Sequence, residues 1–268
     1  MKIRPGIELA NLTDVGCERS QNEDNYCYAE PENDEEMQRR GRLAVIADGM
    51  GGQEGGQIAS TLAVDTVRNV FLNGEAEDPV SALESAYQSA HKAIQEYARM
   101  HPELAGMGTT CTAAVLKDGY VTYGHVGDSR LYLLRNGVIV QLTRDQSYVQ
   151  QMVDSGVINA EEAKTHPSRN ILTSALGSDS AVEADFAETP IPLLASDVLL
   201  LCTDGLHGSV SDREMLETTS KNPPREACLK LVGLAKERGG PDNITIQIIR
   251  IEPEPGQQER DSTSVGTG

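Results

Sequence analysis

A short apolar run that ends in an acidic residue constrains this chain more than any other feature. Residues 43–47 are all apolar and have the composition of a buried strand, and the pair Asp48-Gly49 follows them directly. A carboxylate at the end of a buried strand is costly unless a positive group meets it. The folded chain must therefore supply a partner for Asp48.

Three further aspartates have similar settings. Asp128 follows the apolar segment that ends at Val126-Gly127, Asp204 follows 199–203, and Asp242 follows a Gly-Gly-Pro turn. Taken singly, each of the four aspartates could have a purely structural role, and Asp48-Gly49 could be a hairpin turn, since Asp-Gly is a common turn pair. If all four converge, the simplest partner is a pair of hard divalent cations, which prefer oxygen ligands.

Length, composition and charge limit the class of protein. The chain has 268 residues, of which 38% are hydrophobic, enough for one substantial core or at most two small domains. Its net charge of −18 repels nucleic acid and anionic membranes, so we predict neither as a partner. No run of about 18 apolar residues occurs, and the first residues lack the apolar core of a signal peptide. We therefore predict a cytoplasmic protein, and a monomer.

The cysteines argue against three kinds of protein: one with a disulfide framework, one with a structural zinc site, and a cysteine phosphatase. The five cysteines are scattered, odd in number and never spaced as Cys-x-x-Cys. That pattern favours reduced thiols over a disulfide framework or a structural zinc site. No Cys-x5-Arg arrangement marks a cysteine phosphatase, and Cys111 and Cys202 lie in apolar strands, which is typical of inert core thiols.

Hydrophobic periodicity predicts the order of elements. Strands are predicted at 7–13, 25–29, 42–47, 109–116, 120–127, 130–135, 138–142, 182–188, 198–202 and 244–251. Helices are predicted at 57–72, 80–100, 146–155, 160–165, 212–219 and 224–238. Hairpin turn signals at 117–119 and 136–137 make the sheets mainly antiparallel, with helices at their sides. The acidic stretch 30–36 is predicted to be an exposed loop, and the polar end of the chain to be a disordered tail.

Eight motifs occur together in this chain: Arg19-x-x-Asn22-Glu23-Asp24, Ala47-Asp48-Gly49-Met50-Gly51-Gly52, Gly108-Thr109-Thr110, Gly124-His125-Val126-Gly127-Asp128-Ser129-Arg130, Leu142-Thr143-Arg144-Asp145, Leu172-Thr173-Ser174-Ala175-Leu176-Gly177, Thr203-Asp204-Gly205 and Gly240-Pro241-Asp242-Asn243. With them, residues 5–251 resemble the metal-dependent serine/threonine protein phosphatases of type 2C, the PPM type, in their bacterial form. The motifs have the order and spacing of that family, and their combination is highly specific.

The resemblance implies an α+β fold, a four-layer α-β-β-α sandwich of two mainly antiparallel sheets with helices outside. It implies one phosphatase domain over 1–252, with a mobile flap at about 145–170 beside the active site and the disordered tail at 253–268. It also implies a binuclear Mn²⁺ or Mg²⁺ centre at one edge of the sandwich, with a third, weaker ion in bacterial members.

Matching by motif gives each acidic residue an implied role at this centre. Asp48 would bridge the two metals, and Asp204 and Asp242 would complete the first site. Asp128 would hold the third ion together with Asp204.

The second metal site would take the Gly49 carbonyl and an acid from the pair Glu23 and Asp24. The sequence leaves open which of the two acids binds the metal directly and which acts through water. Arg19 is the candidate for binding the substrate phosphate, because its guanidinium fork matches phosphate geometry.

The implied activity is hydrolysis of phosphoserine and phosphothreonine in phosphorylated protein substrates, opposing a serine/threonine kinase. Two metals can share one water and lower its pKa towards neutrality, so that the bridging hydroxide attacks phosphorus. The metals and the Arg19 guanidinium would then stabilise charge on the phosphoryl oxygens.

The chain departs from some family members after the Asp48-Gly49 pair. Those members have a histidine there that can protonate the leaving alkoxide, whereas Met50 cannot donate a proton. His207 is the nearest alternative donor in the sequence. The glycines of 49–52 do not form a nucleotide-binding P-loop, because no Gly-Lys-Ser/Thr follows them.

Two other functions remain open at this point. The domain could act on one dedicated phosphorylated signalling protein, which the sequence does not distinguish from broader activity. It could also be a catalytically dead binding domain, although such domains usually lack metal aspartates that are present here.

Overall fold

Two antiparallel sheets face each other in this protein, and helices cover both outer faces. The structure is a computed structural model that describes residues 3–52, 54–76 and 78–253. The observed layers confirm the predicted four-layer α-β-β-α sandwich. The tail predicted from residue 253 lies, beyond Pro253, outside the described residues.

The first sheet has five strands, all paired in antiparallel fashion. In spatial order they are β1 (Ile7–Asp14), β12 (Ile244–Ile251), β11 (Val198–Cys202), β7 (Arg130–Arg135) and β8 (Val138–Gln141). Strand β12, the last strand among the described residues, therefore lies between β1 and β11.

The second sheet is also antiparallel. In spatial order its main strands are β10 (Ile191–Pro192), β6 (Tyr120–Val126), β5 (Cys111–Lys117), β3 (Arg42–Met50) and β2 (Asp24–Ala29). Two short strands complete it, β4 (Gly108–Thr109) beside β3 and β9 (Asp185–Phe186) beside β6. Strand β3, which carries Asp48, thus lies inside the sheet between β2 and β5.

Eight α-helices occur in the described residues, and four of them cover the outer faces of the two sheets. The eight are α1 (Asp34–Arg40), α2 (Gly55–Asn73), α3 (Pro79–Met100), α4 (Tyr148–Asp154), α5 (Ala160–Thr165), α6 (Asp204–His207), α7 (Asp212–Lys221) and α8 (Pro224–Glu237), with a 3-10 turn at Pro102–Leu104. Helices α2 and α3 cover the second sheet, and α7 and α8 cover the first. No helix in the described part of the chain is long and apolar enough to cross a membrane.

The core has three apolar layers, one between the two sheets and one between each sheet and its helices. In β3, Leu43, Val45 and Ala47 pack against the helices, whereas Ala44 and Ile46 pack against the other sheet. Successive side chains of a strand point to opposite faces, so a strand covered on both faces is apolar throughout. This explains why 43–47 is a continuous apolar run and not an alternating one.

The prediction of an exposed loop at 30–36 is wrong in its second half, where α1 begins. The Asn33 side chain caps this helix by accepting a hydrogen bond from the Glu36 N–H at 2.8 Å. Arg40 is buried at the other end and donates from Nη1 to the Phe71 carbonyl at 2.7 Å. Acidic residues in the first turn stabilise a helix N-terminus. The acidic residues at 34–36 therefore indicate a helix start, which their number alone does not show.

Smaller differences separate the predicted elements from the observed ones. The strand predicted at 182–188 is reduced to the two residues of β9, and β10 and α6 were not predicted. The strand predicted at 109–116 is divided at Thr110, where the Asp48 N–H donates to the Thr110 hydroxyl at 2.8 Å and not to the Thr110 carbonyl. The other predicted elements are confirmed, with ends that differ by a few residues.

A close contact between β3 and α2 gives a test of this packing. A Cβ at Gly49 would lie 2.0 Å from the Gly56 carbonyl oxygen, whereas one at Gly52 would meet nothing within 4 Å. We expect Gly49→Ala to lower the free energy of unfolding by about 1–3 kcal/mol, because strand and helix must separate. Gly52→Ala should stay within about 0.5 kcal/mol of the parent. Urea unfolding measures both, and equal stabilities would contradict the contact.

Candidate metal centre

Acidic side chains from both sheets converge on one open cavity at the edge of the sandwich. The cavity has a volume of about 540 Å³. Its acidic lining consists of Glu23, Asp48, Asp128, Asp204 and Asp242. All five were identified from the sequence as candidate metal ligands, and the structure brings them to one place.

Strand β3 and its neighbours fix the position of Asp48. The Asp48 N–H donates to the Thr110 hydroxyl at 2.8 Å, and the Asp48 carbonyl accepts from the Thr110 N–H at 2.9 Å. On the other side, Asp24 is the register partner of Asp48 in β2. Both neighbouring strands therefore hold the backbone at the point where the carboxylate enters the cavity.

Three hydrogen bonds, with Thr110 and Gln146, hold the Asp128 turn in place. The Thr110 and Ser129 hydroxyls lie 2.7 Å apart, which connects this turn to the end of β3. The Gln146 N–H donates to the Gly127 carbonyl at 2.7 Å, and the Gly127 N–H donates to Gln146 Oε1 at 3.0 Å. These bonds leave the Asp128 side chain as the part of the turn that lines the cavity.

His207 supports the same turn and does not line the cavity. Its Nε2 lies 2.9 Å from the Asp128 carbonyl oxygen, so the ring donates its proton to the backbone there. Burial, followed by the charge of Arg130, lowers the pKa of His207 to about 3, which keeps the ring neutral. The structure thus gives His207 a structural contact where the sequence suggested a proton donor, while Met50 lines the cavity.

Burial and mutual repulsion act on the clustered carboxyl groups. Burial and the charge of Asp24 raise the pKa of Asp48 well above its ordinary value, and burial and Asp204 do the same for Asp128. Burial and Asp242 raise the pKa of Asp204 to about 6. Among the described residues, no ion pair joins Asp48, Asp128 or Asp204 to a cationic side chain. The charges of Arg19 and Arg130 lower the pKa of Asp204 and of Asp128, respectively, but burial and the neighbouring carboxylates outweigh them.

Glu23 and Asp24 have different surroundings. Glu23 lines the cavity and lies against the start of α2, where a Cβ on Gly56 would come within 2.6 Å of Glu23 Oε1. The Asp24 side chain is buried between the sheets, and its Oδ2 accepts from the Thr203 hydroxyl at 2.9 Å. Of the two acids between which the sequence could not choose, only Glu23 faces the cavity.

Arg19 supplies the positive charge at the rim of the cavity. Its side chain is exposed, and Nη2 donates to Asp242 Oδ2 at 2.8 Å. Its Nη1 lies 3.9 Å from Glu23 Oε2, at the limit of an ion pair. The guanidinium thus lies beside two of the candidate ligands and remains accessible to a substrate.

Asn22 and Asn243 fix the loop that carries Arg19 and Glu23. Asn243 accepts from the Glu23 N–H at 2.8 Å and donates to the Val15 and Gln21 carbonyls at 2.9 Å. Asn22 accepts from the Asp24 N–H at 3.1 Å. Both asparagines stand in the motifs, but the sequence analysis gave them no role. For Asn243 the reason is that its partners lie 220 or more positions away in the sequence.

The buried thiols are not nucleophiles. All five cysteines are free, and Cys111 and Cys202 are buried in strands β5 and β11. Burial raises the pKa of Cys111 to about 12 and that of Cys202 further still. A thiol needs its ionised form to attack, so the prediction of inert core thiols is consistent with these surroundings.

The donor set suits hard divalent cations. Oδ1 of Asp24 and Oδ1 of Asp204 are buried without a hydrogen-bond partner among the described residues. Mn²⁺ and Mg²⁺ prefer carboxylate and carbonyl oxygens, and a cation would relieve the repulsion that raises these pKa values. Among the described residues, no group of three or more Asp, Glu, His or Cys side chains is close enough together to hold one metal ion. Binding would therefore require the side chains to close around it.

Residues 170–180 form the remaining wall of the cavity. The members that line it are Asn170, Leu172, Thr173, Ser174, Ala175, Ser178 and Ser180. This segment is attached to the start of the predicted flap, since the Thr173 N–H donates to the Gln146 carbonyl at 2.8 Å. The Tyr148 N–H likewise donates to the Ile171 carbonyl at 2.8 Å. The cavity wall thus comes from the end of the predicted flap and the residues beyond it.

Comparison with protein families and curated proteins supports this description. The family model described as protein phosphatase 2C matches residues 34–225. The serine/threonine phosphatase stp of Listeria monocytogenes is 38% identical over 256 residues, which are 94% of this chain and 98% of that protein. The serine/threonine protein phosphatase PstP of Mycobacterium tuberculosis is 36% identical over 245 residues, 91% of this chain. The chain spans only 45% of the length of this mycobacterial relative.

Solved structures agree with the fold. The crystal structure of the Mycobacterium tuberculosis phosphatase PstP superposes with a TM-score of 0.81 and 35% identity, covering 92% of this chain and 100% of that one. The PstP catalytic domain in complex with two manganese ions gives a TM-score of 0.79 and 33% identity, covering 92% and 99%. With the family model covering most of the chain and the Listeria relative matched almost end to end, the chain belongs to the protein phosphatase 2C family, in the bacterial form of these relatives.

Proposed function

We propose that this chain is a metal-dependent serine/threonine protein phosphatase that hydrolyses phosphoserine and phosphothreonine at a binuclear Mn²⁺ or Mg²⁺ centre. The observation that carries the proposal is the convergence of five acidic side chains from both sheets on one open cavity with an arginine at its rim. The names of the bacterial relatives and the manganese ions in the PstP structure support it.

The cavity-lining acids divide into the expected ligand groups. We propose that Asp48, Asp204 and Asp242 would hold one cation, and that Asp48, Glu23 and the Gly49 carbonyl would hold the other. Glu23 is preferred over Asp24 because only Glu23 lines the cavity. Asp128 lines the cavity beside Asp204 and would hold a third, weaker ion with it. The bound cations would supply a water of lowered pKa as the nucleophile.

The chain's own residues then bind and orient the phosphate. In the substrate complex, the Arg19 guanidinium would turn from Asp242 to the phosphoryl oxygens, which its planar fork can bind in pairs. The cavity wall at 170–180 is rich in serine and threonine and would contact the peptide around the phosphorylated residue. The cavity is open, so a phosphorylated side chain on a protein surface can enter it.

The leaving oxygen needs a proton, and neither of the two residues considered from the sequence, Met50 and His207, is suited to donate one. Met50 lines the cavity and has no acidic hydrogen, while the Nε2 proton of His207 is engaged with the Asp128 carbonyl. We propose that a solvent molecule in the open cavity protonates the leaving oxygen. The class of reaction that supplies such a substrate is phosphoryl transfer to serine or threonine, so the enzyme would oppose a serine/threonine kinase.

Substitution Asp48→Asn tests the proposed centre. With a phosphothreonine peptide and Mn²⁺, we expect phosphate release from the parent chain and its loss in Asp48→Asn and in EDTA. The folded state should persist, because the substitution removes a buried charge that its neighbours repel. Phosphate release and thermal unfolding are the two measurements. Full activity of Asp48→Asn would contradict the bridging role of Asp48.

Substitution Arg19→Ala tests the phosphate site. We expect a fall in kcat/KM of about 10²-fold, because a preorganised donor to the phosphoryl group is lost. Arg99→Ala is the matched control, since it removes the same charge from an exposed side chain on α3 that pairs only with Glu96. Steady-state kinetics on the same peptide measures both variants. An equal fall in both would show that Arg19 acts only through net charge.

A further inference from the structure

The proposed metal ligands are carried by two separate sheets. Asp48 ends β3 and is paired in register with Asp24 of β2, both in the second sheet. Asp204 follows β11 in the first sheet. A centre that Asp48 and Asp204 share needs a fixed separation between the sheets at this edge, and backbone hydrogen bonds within each sheet do not provide it.

The Thr203 hydroxyl crosses this gap. It is fully buried and donates to Asp24 Oδ2 at 2.9 Å, while it accepts from the Thr245 N–H at 3.0 Å. Thr203 directly precedes Asp204, and Asp24 is directly opposite Asp48. One side-chain hydrogen bond therefore connects the neighbour of one proposed ligand to the register partner of another.

The local position of Thr203 makes this bond unusual. Thr203 is the N-cap residue of α6, yet its side chain makes no capping hydrogen bond. A threonine at this position normally accepts a hydrogen bond from an N–H of the first helical turn. Here the hydroxyl is directed to a residue 179 positions away in the sequence, on the other sheet.

A series of hydrogen bonds through Thr245, Thr13 and Asn22 also leads to Asp24. The Thr245 and Thr13 hydroxyls lie 2.8 Å apart, and Asn22 Nδ2 donates to the Thr13 hydroxyl at 2.8 Å. Asn22 Oδ1 in turn accepts from the Asp24 N–H at 3.1 Å, so the series returns to Asp24. The second carboxylate oxygen, Asp24 Oδ1, is buried and has no partner among the described residues.

We propose that Thr203 is a positioning residue for the metal centre. By holding Asp24 Oδ2, its hydroxyl sets the separation of Asp48 and Asp204. This inference rests on the proposed function, because it assigns Thr203 a part in building that centre. Partners that orient metal ligands without touching the metal commonly change metal affinity by about 10–100-fold.

The test compares metal binding in three variants. Thr203→Val keeps the shape of the side chain and removes the hydroxyl, and Thr203→Ser restores the hydroxyl. Gln247→Met is the matched control, because Gln247 Nε2 also crosses between the sheets, to the Cys27 carbonyl at 3.1 Å, but does not contact Asp24. Calorimetric titration with Mn²⁺, well below each unfolding temperature, gives the dissociation constants.

We expect Thr203→Val to raise the Mn²⁺ dissociation constant at least about 10-fold, with Thr203→Ser and Gln247→Met close to the parent. Parent-like affinity in Thr203→Val, or an equal loss in Gln247→Met, would overturn the positioning role. If Thr203→Val does not fold, Thr245→Val should weaken binding in the same direction, since the Thr245 hydroxyl belongs to the series of hydrogen bonds through Thr13 and Asn22 that leads to Asp24. A parent chain that neither binds Mn²⁺ nor releases phosphate would refute the proposed function itself, which separates the two failures.

Discussion

Repulsion among carboxylates at one end of the sandwich is the constraint on which the rest of this structure depends. Burial and neighbouring charges raise the pKa of Asp48, Asp128 and Asp204, and among the described residues no cationic side chain forms an ion pair with them. Such a cluster is held only if the surrounding backbone cannot move apart. The hydrogen bonds of Thr110 and the close contact of Gly49 with α2 supply that rigidity.

The alternation of the strands explains why the charges meet where they do. Along β3, Ala44 and Ile46 face the other sheet, and Asp48 continues on the same face. Along β2, Tyr26 and Tyr28 face the same layer, so Asp24 does too. The site is therefore the end of the apolar layer between the sheets, where acidic residues replace the apolar ones. The same period of two that builds the core also places Asp24 and Asp48 on this face.

Local patterns in the sequence were sufficient for most elements of this fold and for the acidic residues of the site. They failed where the outcome depends on distant partners. Helix α1 was missed because its stability comes partly from burial of Arg40 against Phe71 and Gly74, beyond its own charged surface. The strand predicted at 182–188 has the right composition, but in the structure only Asp185–Phe186 is paired in register with β6, and the Ala187 N–H adds one bond to the Tyr123 carbonyl. The roles of Thr203 and Asn243 could not be predicted for the same reason, since their hydrogen bonds span most of the chain.

Protons and cations compete to relieve the same repulsion. A carboxyl group whose pKa is raised by folding binds more protons in the folded state than in the unfolded state, so its contribution to stability falls as the pH rises through that range. For Asp204, whose pKa burial and the charge of Asp242 raise from 3.8 to about 6, this loss falls between those two pH values. Divalent cations at the proposed centre would replace those protons at neutral pH and, by binding only the folded state, would restore the lost stability. The carboxylates that make this edge of the sandwich costly to fold are thus the same groups that would make it a high-affinity metal site.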